Sequence, residues 1–249
     1  MDRIAFIKTS VLSAFGSRIL INSEFLKVVE FQKVSKENLL GLSPSHLKSD
    51  SILLEKETYD SFSLMKTAAL KDNIHLKVVS GYRSYNQQKA IWERKYNYLI
   101  TKELKPLEAI SEIITYSSVP GTSRHHWGTD VDLIDSLAEM PEGDLLLEEN
   151  YQGNAFFSKM NSWMNSYASD FGFEMVYTQD AHRTGFNYEP WHYSFSPKAK
   201  SFLKVQLEED YRDAWNMLDF KGKSEMTTHI VDDYFKNYVL GINPNLMPS

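Results

Sequence analysis

Two short polar blocks, far apart in the chain, constrain the fold more than any other feature. The first reads Ser123-Arg124-His125-His126-Trp127-Gly128-Thr129-Asp130-Val131-Asp132, and the second Glu189-Pro190-Trp191-His192. One offers an imidazole and a carboxylate seven residues apart; the other offers a carboxylate and an imidazole with Pro and Trp between them. Two neutral histidine nitrogens and one carboxylate form the three-ligand set that leaves a catalytic Zn2+ with an open fourth position for water. A glutamate that does not ligate can then take the proton from that water. A fold that uses both blocks must bring them to one place, and the residue types read as a zinc peptidase site.

The segments around the blocks read as a mixture of strands and helices. Residues 58–70 carry Tyr59, Phe62, Met65 and Ala69 at steps of three and four, a helical stripe. Residues 75–80 read as a strand closed by Gly81. Ser84 or Asn86 then caps a helix whose inner face is Gln88, Ile91, Trp92, Tyr96, Leu99 and Ile100. Arg83 therefore sits at a strand-to-helix junction, where a guanidinium can grip a carboxylate in a bidentate fork. Lys105-Pro106 breaks the chain before a short helix over 107–116, and Pro120-Gly121 precedes the first block. Asp130-Val131-Asp132-Leu133-Ile134 alternates with period two, putting both aspartates on one side and Val131 and Leu133 toward the core. A helix is expected over 154–171, strands over 173–177 and 191–195, and helices from Pro197 onward. The last of these carries a stripe of Ile230, Val231, Tyr234, Phe235, Tyr238 and Val239. Residues 1–50 alternate apolar patches, at 4–7 and 25–29, with polar stretches.

Composition narrows the class of partner. A formal net charge of −6 over 249 residues argues against a nucleic-acid binder, which carries a basic excess. There is no cysteine, so neither a disulfide framework nor a thiolate-ligated metal. No run approaches the roughly 18 apolar residues of a membrane span. The first 21 residues are interrupted by Lys8, Ser10, Ser13 and Ser17 and lack the clean apolar stretch of an export signal. Of the seven histidines, His46, His75 and His229 read as structural or surface residues, and His182 as a loop residue close to Glu189 in sequence. His125 and His126 are neighbours pointing to opposite faces of extended chain, and spacing to Asp132 does not choose between them.

The blocks also carry a resemblance. Ser80-Gly81-Tyr82-Arg83-Ser84 with Gln88, Ser123-Arg124-His125 with Gly128 and Asp132, and Glu189-Pro190-Trp191-His192 resemble, in order, three signature blocks. These are the blocks of the VanY-type D-alanyl-D-alanine carboxypeptidases and their L,D-carboxypeptidase relatives, zinc metallopeptidases of the lysostaphin, D-Ala-D-Ala metallopeptidase and hedgehog-like fold. The likeness covers roughly residues 55–196. It implies an α+β fold, a small antiparallel sheet carrying a zinc site and flanked by helices, to which the patterning after Pro197 adds a helical C-terminal extension outside the likeness. The chain then divides into an N-terminal segment at 1–50 packing on the domain, a zinc carboxypeptidase domain at 51–196, and the extension at 197–249.

The resemblance implies roles as well. His125, Asp132 and His192 would bind Zn2+, which selects His125 over His126. Glu189 would be the general base and Arg83 the grip on the substrate carboxylate, with Ser123 and Gln88 lining the site and Trp127 shaping a substrate pocket. One departure stands out: the family has a small residue where this chain has Asp130. On an alternating strand Asp130 lies about 7 Å from Asp132 on the same face, where it either orients a ligand histidine or faces solvent. The expected activity is removal of a terminal D-alanine from peptidoglycan stem peptides, across a D,D or an L,D bond. The alternatives are an endopeptidase and an inactive zinc-containing module that binds cell-wall peptides. Stem peptides are trimmed outside the inner membrane, so a periplasmic or cell-envelope location is expected, with a cytoplasmic recycling role the alternative. Oligomeric state is not legible.

Overall fold

The computed structural model describes residues 34–48 and 52–248. The apolar patches at 4–7 and 25–29 lie outside the described residues. The architecture is α+β. A short helix α1 (Lys36–Leu39) leads into a two-stranded ribbon, β1 (Leu47–Lys48) with β2 (Leu54–Glu55). Helix α2 (Lys56–Lys71) follows, with the Glu55 carboxylate accepting the Thr58 amide at 3.0 Å to satisfy an orphan donor of the first turn. The predicted stripe is its buried face: Phe62, Met65 and Ala69 are in the core.

The second sheet carries the site. Its strands are β3 (Leu76–Ser80), β4 (Asp130–Asp135), β5 (Phe173–Met175) and β6 (His192–Phe195), in the order β3-β4-β6-β5, with every neighbouring pair antiparallel. Between β3 and β4 the chain forms α3 (Tyr85–Thr101) and α4 (Pro106–Ile114). Ser84 caps α3 through its hydroxyl, with Gln87 returning the bond to the Ser84 amide, a capping box. Of the inner face expected for α3, Gln88 and Trp92 are buried, whereas Ile100 is exposed. Helix α5 (Ser158–Tyr167), extended by a 3-10 turn over Ala168–Phe171, precedes β5. After β6 come α6 (Ser196–Gln206), α7 (Glu209–Asn216) and α8 (Thr228–Tyr234), the last continued by a π-helical turn over Phe235–Val239.

Two buried clusters hold these elements. One joins α2 and α5 to the sheet through Phe62, Met65, Val131, Leu133, Met160 and Tyr193. The other joins Trp92 of α3 to Trp127, Tyr211, Trp215 and Tyr234. The segment beyond β6 is helical, as its patterning predicts, and it shares this second cluster with the residues around the first block. Strand β4 is buried along its whole length, so its aspartates do not alternate with solvent. They alternate with core residues, and the carboxylates must therefore find partners inside the protein.

Candidate active site

Antiparallel register explains how the two blocks meet. Asp132 lies directly opposite His192 across β4 and β6, and Asp130 opposite Ser194. Opposed side chains share a face with Cβ atoms about 4.5–5.5 Å apart, so the pairing alone delivers a carboxylate and an imidazole to one spot. His125 arrives from the 3-10 turn Arg124–Trp127, which ends at Gly128 in the left-handed conformation with φ of +69°. One ligand-capable atom from each of His125, Asp132 and His192 lies within 4.8 Å of the others, and all three residues are buried.

Hydrogen bonds decide which atoms face inward. The Nδ1 of His125 donates to the Gly81 carbonyl at 2.8 Å, leaving its Nε2 facing Asp132 Oδ2 at 3.4 Å. The Nε2 of His192 donates to Asp130 Oδ1 at 3.0 Å, leaving its Nδ1 3.9 Å from Asp132 Oδ1 and 2.9 Å from Glu189 Oε2. Asp132 Oδ1 is buried with no hydrogen-bond partner. A buried carboxylate oxygen without a donor costs free energy, and a cation held between it and the two imidazole nitrogens would supply what it lacks.

The charges are strongly coupled. Burial alone would lower the His192 pKa, but hydrogen bonds to Asp130 and Glu189 outweigh it and push it up to about 10. Burial raises Asp130, and the Arg124 guanidinium and His192 more than reverse that, holding it well below the usual carboxylate range. Asp132 is also lowered, its burial offset by His125 and His192.

Glu189 and His192 share a side because the chain turns between them, with the His192 amide donating to the Glu189 carbonyl at 3.2 Å. Arg83 stands across the cleft, its Nη1 donating to Gln88 Oε1 and its Nη2 to Ser80 Oγ, both at 2.9 Å. Arg83, Glu189 and His192 line a cleft of about 750 Å³ together with Ser123, Tyr177 and Trp191. Tyr177 meets His192 edge-on at 5.2 Å, and burial followed by the nearby Glu189 charge keeps its phenol protonated well above the ordinary range.

Two expectations are corrected. Trp127 does not line the cleft: it is fully buried, packs edge-on against Phe202, and carries the Arg124 guanidinium over its ring at 4.6 Å. The turn that presents His125 sends the next apolar side chain to the opposite, core side. Gln88 does not line the cleft either; buried on α3, it holds Arg83 and donates to the Ser118 carbonyl at 2.8 Å. His182 is exposed in its loop and off the cleft, and His126 lies buried behind it, its Nδ1 donating to the Arg83 carbonyl at 2.6 Å. Asp130 is buried rather than solvent-facing; it accepts from Arg124 Nε at 2.9 Å, Thr129 Oγ1 at 2.6 Å and Ser194 Oγ at 2.9 Å as well as from His192. Sequence reasoning missed Arg124, Ser194 and Tyr177. The first is adjacent to His125, and the second lies two residues after His192 on the same strand face, a signal the period-two pattern carries.

Comparison with known proteins gives the family. A family model described as "VanY: D-alanyl-D-alanine carboxypeptidase" matches residues 51–198, more than half the chain, and the protein belongs to that family. A putative carboxypeptidase, YodJ, from Bacillus subtilis (strain 168) is 31% identical over 159 residues, covering 63% of this chain and 50% of the relative. A D-alanyl-D-alanine carboxypeptidase of Enterococcus faecalis (strain ATCC 700802 / V583) is 30% identical over 130 residues, 51% of this chain and 42% of the relative. The chain thus spans half or less of the length of these two relatives. Among solved structures, the LdcB LD-carboxypeptidase matches 72% of this chain and 80% of its own with a TM-score of 0.50 at 24% identity, a likeness of fold.

Proposed function

We propose that the protein is a zinc-dependent carboxypeptidase that removes a terminal D-alanine from peptidoglycan stem peptides and acts in the cell envelope. The observation that carries this reading is the convergence of His125, Asp132 and His192 within 4.8 Å, in a family whose description names that activity. The donor set suits Zn2+. His125, Asp132 and His192 would hold it, and Asp132 Oδ1, buried without a hydrogen-bond donor, would gain a partner. Zn2+ held there would supply Lewis acidity for the scissile carbonyl and acidify a water molecule toward neutral pH.

The chain's own residues do the rest. Glu189 faces the same space as His192 Nδ1, placed to take the proton of the attacking water and return it to the leaving amine. Arg83 is fixed by Gln88 and Ser80 through two of its five N–H donors, leaving a fork free for the substrate's terminal carboxylate. Such a cation at the closed end of the peptide favours release of one residue over cleavage within a cross-link. A binding module has no use for a carboxylate aimed at the reacting position, so Glu189 also favours an enzyme over an inactive relative.

The test is mass spectrometry of purified pentapeptide and tetrapeptide muropeptides incubated with zinc-loaded protein, with and without a chelator. Chelator-sensitive loss of one alanine is expected, and the peptide that shortens names the bond. Glu189→Gln should keep its metal and lose at least about 100-fold in turnover, whereas His192→Ala should lose the metal. A zinc-loaded protein that leaves both peptides intact would remove the proposal.

A further inference from the structure

Strands β5 and β6 are antiparallel neighbours, a pair that about 2–5 residues usually join, yet here residues 176–191 join them without helix or strand. The ends of this link meet. The Glu189 amide donates to the Tyr177 carbonyl at 3.1 Å, which closes residues 178–188 into a compact loop of the Ω type. At the neck of the loop, Glu189 lies 2.9 Å from His192 Nδ1 and Tyr177 meets the same imidazole edge-on. From its head, Phe186, Asn187 and Tyr188 enter the wall of the cleft. A loop with so few backbone hydrogen bonds of its own has low local stability, so what holds the head in place must come from elsewhere.

It comes from beyond residue 198, where the family match ends. In the π-helical turn over Phe235–Val239 the Leu240 amide reaches back five residues to the Phe235 carbonyl at 3.0 Å, a winding seen mostly at functional sites. The Asn237 carbonyl of this turn accepts from Thr184 Oγ1 at 2.9 Å. Arg183 donates through Nη1 to the Gly241 carbonyl at 3.1 Å and through Nε to the Thr178 carbonyl at 3.0 Å, tying the head both to the extension and to its own start. The two backbones are in contact: a Cβ on Gly185, at φ of +84°, would lie 2.3 Å from the Asn237 oxygen. Beside that contact the Tyr238 ring meets Phe186 edge-on with centroids 5.3 Å apart, and Phe186 meets Tyr177 at 5.0 Å. Tyr238 is itself stacked on the buried Tyr234 at 5.5 Å. A row of rings thus runs from the extension to His192.

We infer that the C-terminal extension is part of the peptide-binding site: through Tyr238 and the Asn237 carbonyl it holds the loop over 183–188, so that Phe186 and Tyr188 stand as a ready-made wall for the peptide. Tyr238 is a positioning residue. It acts through Phe186, and its contribution is that the wall is ordered before the peptide arrives, which removes an ordering cost from binding. This rests on the carboxypeptidase reading and deepens it.

The test measures kcat and KM of zinc-loaded protein on whichever stem peptide the wild type shortens, with zinc affinity read separately by chelator competition. Tyr238→Ala should raise KM about fivefold, the scale of one aromatic pair, with kcat and zinc affinity as in the wild type. Tyr238→Phe keeps the ring and should keep the wild-type KM. Thr184→Val, at an exposed position, removes a hydroxyl without disturbing the core and should also raise KM; it decides the matter if Tyr238→Ala does not fold. In a Phe186→Ala background, Tyr238→Ala should add no further rise, because the ring it positions is gone. A wild-type KM in Tyr238→Ala, or effects of Phe186→Ala and Tyr238→Ala that simply multiply, overturn the inference and leave the carboxypeptidase reading standing. Zinc affinity lost in step with peptide affinity in Thr184→Val also overturns it, since the loop would then support the whole site. Zinc-loaded wild-type protein that shortens neither peptide overturns the carboxypeptidase reading and the inference with it.

Discussion

Asp130 stands where the resemblance leads one to expect a small residue, and its surroundings give the carboxylate a physical role. The carboxylate is fully buried, and it is made tolerable by Arg124, Thr129 and Ser194. Its remaining contact fixes the Nε2–H tautomer of His192, which turns the other nitrogen toward Asp132 and Glu189. Carboxylate partners of this kind orient a ligand histidine and raise its basicity. Asp130→Asn should therefore weaken zinc binding by about 10–100-fold, measured by competition with a chromophoric chelator. A shift of the His192 ring ¹⁵N resonances should accompany the loss, a signature that general loosening of the core does not produce. Asp130→Ala goes further, since it strands the Arg124 guanidinium in the interior and should cost about 3–5 kcal/mol in urea unfolding. Zinc affinity equal to the wild type in Asp130→Asn would show that His192 needs no such support.

At the scale of elements, the entry into β4 is the tightest point in the site. Gly128 has φ of +69°, and a Cβ there would lie 2.4 Å from Leu47 Cδ2 and 2.9 Å from the Glu55 amide nitrogen. The Glu55 amide donates to the Gly128 carbonyl at 2.9 Å, and His46 Nε2 donates to the Trp127 carbonyl at 2.9 Å, so β1 and β2 clamp the turn that presents His125. Gly128→Ala should cost about 1–3 kcal/mol from backbone strain alone, with zinc affinity falling alongside; urea denaturation with and without zinc reads both. Much of this element was legible beforehand. The period-two run over Asp130 to Ile134 predicts the strand and its aspartate face, and the glycine predicts the bend. Which of His125 and His126 turns inward was not, because the chain there is a 3-10 turn rather than the extended strand that spacing assumes. Trp127 was misplaced for the same reason: on that turn it follows the core side. The opposition of Asp132 and His192 was also illegible, since register is set by pairing between segments that sequence periodicity treats one at a time.

At the scale of the whole molecule, the helices after β6 are tied to the site by a continuous line of hydrogen bonds. Tyr211 Oη on α7 donates to the Gly121 carbonyl at 2.6 Å, and the Gly121 amide donates to His126 Nε2 at 3.2 Å. The other nitrogen of His126 donates to the Arg83 carbonyl, and the Arg83 amide donates to the His125 carbonyl at 3.0 Å. Beside this line, Trp215 Nε1 donates to the Pro120 carbonyl at 2.9 Å and Gln206 Nε2 to the Thr122 carbonyl at 3.2 Å. The C-terminal helices therefore brace the loop before the first block, and through His126 they brace the backbone of Arg83. Losing the Tyr211 hydroxyl leaves a buried carbonyl short of a donor, a cost of about 1–3 kcal/mol. Because the line ends on Arg83 and on the backbone rather than the imidazole of His125, the effect should separate by function. Tyr211→Phe should bind zinc as the wild type does and raise KM for the cleaved peptide several-fold, with kcat little changed. Parallel loss of zinc and of peptide affinity would mean that the helices support the entire cleft by packing alone. Trp215→Ala gives the contrast: it removes a fully buried indole and should cost about 3–5 kcal/mol, enough to lower zinc binding and peptide binding together.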